Sequence, residues 1–200
     1  MSYIVRCQMR CPHGDQCVNE AGHESKPFHP DEPDSPMIGC SHRDCGCNEA
    51  NHHVRPDWDH YFMAIARATS LRSNCDRKLV GAVLVADKRI IATGYNGAPS
   101  GLPTCMEAGH QLVDMNGRKS CVRTIHAEHN AIIQCSLVGV PCAGSVLYTT
   151  ASPCLECTKA IITSGVSAVV YAELYVSART GGLDMAKLAA ANGISWRHLP

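Results

Sequence analysis

The chain has 200 residues, with 18 Lys and Arg balanced by 18 Asp and Glu, and carries 13 Cys and 11 His. That length suits one ordinary domain with an appended piece. Zero formal charge gives no global electrostatic case for DNA or an acidic membrane surface, and no apolar run approaches the length of a membrane span. Met1 opens no signal-peptide pattern, so the expected location is the cytoplasm, or the host cytoplasm if the chain is phage-encoded. Without a secretion signal, interleaved Cys and His speak for metal ligation over disulfides.

The composition changes at Arg55-Pro56, which divides residues 1–55 from residues 56–200. The first part holds six Cys and six His, and its large aliphatic residues show no helical or strand period from Cys11 to Val54. Such a segment buries too little apolar surface to offset its ordering entropy and needs metal to fold. The second part reads as α/β. Trp58, Tyr61, Phe62, Ile65 and Ala66 have helical spacing. Val80 to Val85 and Ile90 to Thr93 read as strands joined at Ala86-Asp87-Lys88-Arg89. A helix from about His126, capped by Thr124, precedes a strand at Val146 to Thr149. Ser152 as N-cap and Pro153 as first helical residue open a helix that runs to Thr163 and stops at Ser164-Gly165. Ala168 to Ala172 is short and apolar on both faces, as expected of a strand covered by helices on both sides. A helix near Leu183 to Ala191 and a strand at Ser195 to His198 complete the chain.

Two segments carry the chemistry: His126-Ala127-Glu128 and, after twenty-four residues, Pro153-Cys154-Leu155-Glu156-Cys157. H-x-E…P-C-x-x-C is the known signature of zinc-dependent nucleobase deaminases. One His and two Cys leave a fourth position on zinc open, whereas a structural site has four protein ligands. Cys154 and Cys157, at i and i+3, share a face of the first helical turn. Water on the ion has its pKa lowered from about 15.7 towards 7. Glu128 is then placed to carry protons without being a ligand.

Residues from Trp58 to about His198 resemble a deoxycytidylate (dCMP) deaminase of the cytidine deaminase superfamily, nearest in pattern to the late-competence proteins of Gram-positive bacteria and their phage relatives. The resemblance rests on Arg72-Ser73-Asn74-Cys75, Val80-Gly81-Ala82-Val83, Gly94-Tyr95-Asn96-Gly97, Arg123-Thr124-Ile125-His126-Ala127-Glu128 and Ser152 to Lys159. It implies a three-layer α/β/α sandwich around a five-stranded mixed sheet. It implies hydrolysis of dCMP to dUMP and ammonia, supplying thymidylate synthesis, with hydroxide attacking C4 of cytosine. Glu128 would take the water proton, pass it to N3 and then protonate the departing amine. The N–H of Ala127 and the carbonyl of Ser152 would hold the pyrimidine edge. A homohexamer, and dCTP or dTTP sensing near Gly94-Tyr95-Asn96-Gly97, follow from relatives. Cys75, Cys105, His110 and Cys121 stand where relatives place structural zinc ligands, with His110 replacing a Cys.

Substrate contacts are read from position. Asn96 follows a strand, where its amide can reach base or sugar; the alternative is a plain Asn-Gly turn. A 5′-phosphate needs cationic or hydroxyl partners, and Arg72, Ser73 and Arg77 follow the first helix, where they can equally be solvated. Tyr148 and His129 read as packing or surface residues, and Cys135 and Cys142 as small core residues. Cys11, Cys17, His23 and His29, with five residues between each and the next, form a candidate N-terminal zinc site, with Cys7 an alternative to Cys11. Cys40, His42, Cys45 and Cys47, beside His52 and His53, are candidates for a further one. The extension holds more acids than bases, which argues against phosphate-backbone binding. Other readings are a deaminase of modified dCMP, dCTP or CMP, or a non-catalytic zinc-rich interaction or nucleic-acid-binding module. An intact Glu128 argues against the module, since a structural zinc site has no use for it.

Overall fold

The computed structural model describes residues 55–115, 117–175 and 183–200, and Pro56–Pro200 forms one compact unit. The N-terminal candidates Cys11, Cys17, His23, His29, Cys40, His42, Cys45 and Cys47 lie outside the described residues.

In chain order the elements are α1 (Trp58–Ser70), β1 (Gly81–Ala86), β2 (Arg89–Tyr95), α2 (Cys105–Ala108), β3 (Leu112–Met115), β4 (Arg118–Cys121), α3 (Ala127–Val138), β5 (Val146–Ala151), α4 (Leu155–Thr163), β6 (Ala168–Glu173), α5 (Met185–Ala190) and β7 (Ser195–His198). The five-stranded sheet runs β2-β1-β5-β6-β7, antiparallel across its first two pairings and parallel across the last two. The β1–β2 hairpin turns through Asp87 and Lys88, both at positive φ, as a two-residue turn that follows strand twist requires.

Alternation along β1 sorts the two layers. Val83 and Val85 pack with Phe62, Met63 and Ala66 of α1, while Ala82 and Leu84 pack with Ala127, Ala131 and Cys135 of α3, Ile161 of α4 and Ala189 of α5. The result is the expected α/β/α sandwich on a mixed five-stranded sheet. Cys135 and Cys142 are buried in the second of these layers. Among the described residues no helix is long and apolar enough to cross a membrane.

Two glycines set how closely helices approach the sheet. A Cβ at Gly81 would stand 2.0 Å from the Ala66 carbonyl oxygen, and one at Gly94 would stand 2.2 Å from that of Ala127. The second contact presses the start of α3 onto the end of β2. The Asn130 amide, donating to the Tyr95 carbonyl at 2.7 Å, locks the same junction.

Several boundaries differ from expectation. Neither Thr124 nor Ser152 is a cap: His126 and Cys154 occupy the N-cap positions, without side-chain cap bonds. Their side chains turn instead toward each other, and the Ser152 hydroxyl accepts the Tyr175 N–H at 2.8 Å. The last helix starts at Met185 because Asp184 caps it, accepting from the N–H groups of Ala186 and Lys187. Two elements were not anticipated: α2, opened by a Thr104–Glu107 capping box, and the separate β3–β4 hairpin.

Candidate functional site

Helices α3 and α4 begin at one place. Their N-cap residues His126 and Cys154, with Cys157 one turn into α4, bring three ligand atoms within 4.8 Å of one another. His126 Nδ1 lies 3.4 Å from Cys154 Sγ and 3.3 Å from Cys157 Sγ, and the sulfurs are 3.7 Å apart. Tetrahedral zinc, with bonds of about 2.3 Å to sulfur and about 2.0 Å to nitrogen, requires S···S of about 3.8 Å and S···N of about 3.5 Å. The three donors therefore fit that ion, and two thiolates with an imidazole match its borderline softness. The side-chain hydrogen bond with Cys157, and then the His126 ring, hold the Cys154 thiol down to about 3, while the same Cys154 partner and burial drive Cys157 well above its ordinary value. A charged sulfur at the positive end of α4 is also favoured by the helix dipole.

Glu128 is buried beside this centre without belonging to it. Its Oε2 accepts from the Cys157 thiol at 3.5 Å, and burial pushes its carboxyl up from the ordinary value. A carboxyl raised in that way holds a proton more readily than an ordinary one, which suits a group that takes and returns protons. His129, one turn beyond His126, is half-buried with Nδ1 3.9 Å from Cys157 Sγ, and burial lowers its pKa. It is closer to the centre than a packing residue need be. Tyr148 packs in the core, donating its hydroxyl to Asp59.

A second group joins Cys75, Cys105, His110 and Cys121, again within 4.8 Å. Cys105 and Cys121 sulfurs are 3.6 Å apart, and Cys75 Sγ is 3.8 Å from His110 Nδ1. The other ring nitrogen, Nε2, faces Asp76 Oδ1 at 3.0 Å, the arrangement that orients a metal-ligating His. Burial raises Cys105 to about 12; on Cys121 burial acts upward too, but bonds from the Arg123 N–H and from Cys105 bring it to about 7. Four donors close a tetrahedron, so this group fits a structural ion.

A cavity of about 340 Å³ connects the two groups, lined by His126, Glu128 and Cys154 of the first and by Cys75 and Cys121 of the second. Ala127, Ser152, Asn96 and Arg77 also line it, whereas Arg72 and Ser73 do not. Arg72 points to solvent, and the Ser73 hydroxyl is used on the Asn96 carbonyl at 2.9 Å. Asn96 is buried, not a hairpin turn: its Oδ1 accepts the Val80 N–H at 2.7 Å and its Nδ2 donates to the Lys78 carbonyl at 2.9 Å. Both bonds hold the wall of the cavity, leaving one amide hydrogen for a ligand. Lys78, Arg118, Lys119 and Tyr175 line the cavity and were not anticipated. The Asn-Gly pair in the sequence at 116–117 was the available signal for the hairpin that carries Arg118 and Lys119.

Known proteins resemble this chain in sequence and fold. The chain is 49% identical over 121 residues to ComE operon protein 2 of Bacillus subtilis, covering 60% of this chain and 62% of that one. It is 42% identical over 125 residues to the deoxycytidylate deaminase of Mycobacterium phage D29, covering 58% of this chain and 95% of that one. The chain thus spans less than two thirds of the Bacillus protein. The crystal structure of dCMP deaminase from cyanophage S-TIM5 in complex with dCMP and dUMP superposes with a TM-score of 0.59 at 30% identity, covering 74% of this chain and all of that one. Residues 56–173, more than half of the chain, match the family described as the cytidine and deoxycytidylate deaminase zinc-binding region, and the chain belongs to that family.

Proposed function

We propose that the protein hydrolyses dCMP to dUMP and ammonia, and so supplies thymidylate synthesis. The observation that carries this reading is the buried Glu128 carboxyl 3.5 Å from Cys157, beside a three-donor group that fits zinc but does not include it. Zinc held by His126, Cys154 and Cys157 would make a water nucleophilic at neutral pH. In this reading the Ala127 N–H and the Ser152 carbonyl orient the pyrimidine edge, and the remaining Asn96 amide hydrogen faces base or sugar. As the water oxygen bonds to C4, its proton passes through Glu128 to N3. The second O–H proton passes through the same carboxyl to the amino nitrogen, which leaves as ammonia while C4=O forms. Phage deaminases named for dCMP among the relatives support the choice of nucleotide.

The same reading assigns a structural ion to Cys75, Cys105, His110 and Cys121, and treats residues 1–55 as a separate Cys/His-rich zinc-binding extension. It includes a homohexamer with dCTP and dTTP as effectors, acting in the cytoplasm. Ultraviolet monitoring of cytosine-to-uracil conversion across dCMP, CMP, dCTP and deoxycytidine tests it. The highest kcat/KM is expected on dCMP; a preference for CMP or dCTP would move the assignment to another cytosine nucleotide.

A further inference from the structure

Cys157 Sγ faces His126 Nδ1 at 3.3 Å, Glu128 Oε2 at 3.5 Å, Cys154 Sγ at 3.7 Å and His129 Nδ1 at 3.9 Å. To ligate an ion Cys157 must lose its proton, and its sulfur then only accepts. His126 turns a lone pair to the same ion, Cys154 is a second thiolate, and Glu128 while ionised is another acceptor. Among these neighbours that leaves His129 to donate. Its ring has an N–H on Nδ1 in one neutral tautomer and on both nitrogens when charged. The 3.9 Å contact is longer than an N–H···O bond, as bonds to the larger sulfur atom are. Cys154 is served differently, by the backbone N–H of Cys157.

The start of α3 holds the ring in place. His126 is its N-cap and His129 stands three residues on, so the two side chains share one side of the first turn. Asn130, next along, is tied to the Tyr95 carbonyl at 2.7 Å. His129 is half-buried, and neither it nor Cys157 lines the cavity. The ring therefore meets the donor group without meeting what occupies the cavity.

Resting on the zinc-dependent deaminase reading above, we propose that His129 is a positioning residue of the metal group: its Nδ1–H donates to Cys157 Sγ, holding that sulfur as thiolate and drawing charge from it. Hydrogen bonds to ligating groups tune both the affinity and the chemistry of a metal site. Stabilising the thiolate lowers the cost of giving up the Cys157 proton when the ion binds. Drawing charge from the sulfur leaves more of the ion's charge to act on a bound water. The H-x-E…P-C-x-x-C signature leaves position 129 open, so the device belongs to this chain and not to the motif.

Cobalt substitution of the full chain tests this without turnover. Thiolate-to-cobalt charge-transfer absorption moves to longer wavelength when a ligating sulfur loses a hydrogen bond, and a variant-minus-wild-type difference spectrum cancels the other metal groups. His129→Leu is expected to show that shift. Chelator competition followed at the same band should show cobalt held about 10–100-fold more weakly. His129→Asn sets an amide N–H near the place of Nδ1 and should restore most of both. On dCMP, kcat should fall in His129→Leu with KM within about twofold of wild type, because His129 lies off the cavity. An unshifted band with wild-type cobalt affinity in His129→Leu would overturn the proposal. So would equal losses in the Leu and Asn variants, the mark of packing alone. A wild type that binds metal yet leaves dCMP intact would remove the deaminase reading instead, and the cobalt band and affinity would still judge His129.

Discussion

Glu128 and Cys157 stand 3.5 Å apart, the carboxylate accepting from the thiol, so the proposed proton carrier touches the three-donor group without joining it. This separation of roles predicts that Glu128→Gln retains its metal while losing turnover by about a hundred- to ten-thousand-fold or more. Zinc content by mass spectrometry, alongside the rate on dCMP, checks it. Retained deamination in a zinc-replete variant would remove the role.

The second donor group should act on stability. Cys121→Ala is expected to lose one zinc per chain and to melt lower, with the metal at His126, Cys154 and Cys157 retained. The full chain, with its N-terminal Cys and His, should hold at least three zinc. A single zinc per chain would defeat that count.

Much of this was legible in the sequence for a physical reason. Zinc imposes strict residue types and spacing, so His126, Cys154 and Cys157 could be grouped before any coordinate, whereas the quartet Cys75, Cys105, His110 and Cys121, spread from position 75 to position 121, was grouped only through the family resemblance. The strands β1 and β6 were visible because burial on both faces leaves continuous apolar runs. The cations that line the cavity were not legible. Any surface Arg near a motif looks alike in sequence, and only the fold turns Arg72 outward while bringing Arg118 and Lys119 to the cavity. The caps failed as well, because His126 and Cys154 give their side chains to the metal group instead of to the helix ends.

The close approach at Gly94 predicts a local and costly effect. Gly94→Ala places a methyl 2.2 Å from the Ala127 carbonyl oxygen, which must move with the start of α3. A stability loss of about 1–3 kcal/mol is expected, since overpacking forces backbone shifts. Because Ala127 adjoins both His126 and Glu128, kcat should fall too. Denaturant titration with unchanged stability and rate would contradict this.

Asp59 joins three elements: it accepts from Arg197 Nη1 of β7 and from the Tyr148 hydroxyl of β5, each at 2.7 Å. The Arg197 bond, then that of Tyr148, hold its carboxyl below the usual 3.8. A depressed folded pKa stabilises above the unfolded value, and that stability is lost as pH falls through the folded one. Asp59→Asn should therefore cost about 1 kcal/mol at pH 7, a modest figure because Arg197 is half-exposed. The gap from wild type should close below about pH 3.8. A gap constant from pH 7 to pH 2.5 would show that charge plays no part.

The most direct measurement is ammonia release from dCMP by purified chain stripped of metal and then titrated with zinc. The account predicts negligible release from the stripped protein, and activity that appears as the His126–Cys154–Cys157 group fills, with uracil absorbance rising in step. Undiminished deamination without metal, or none at any zinc level, would contradict it.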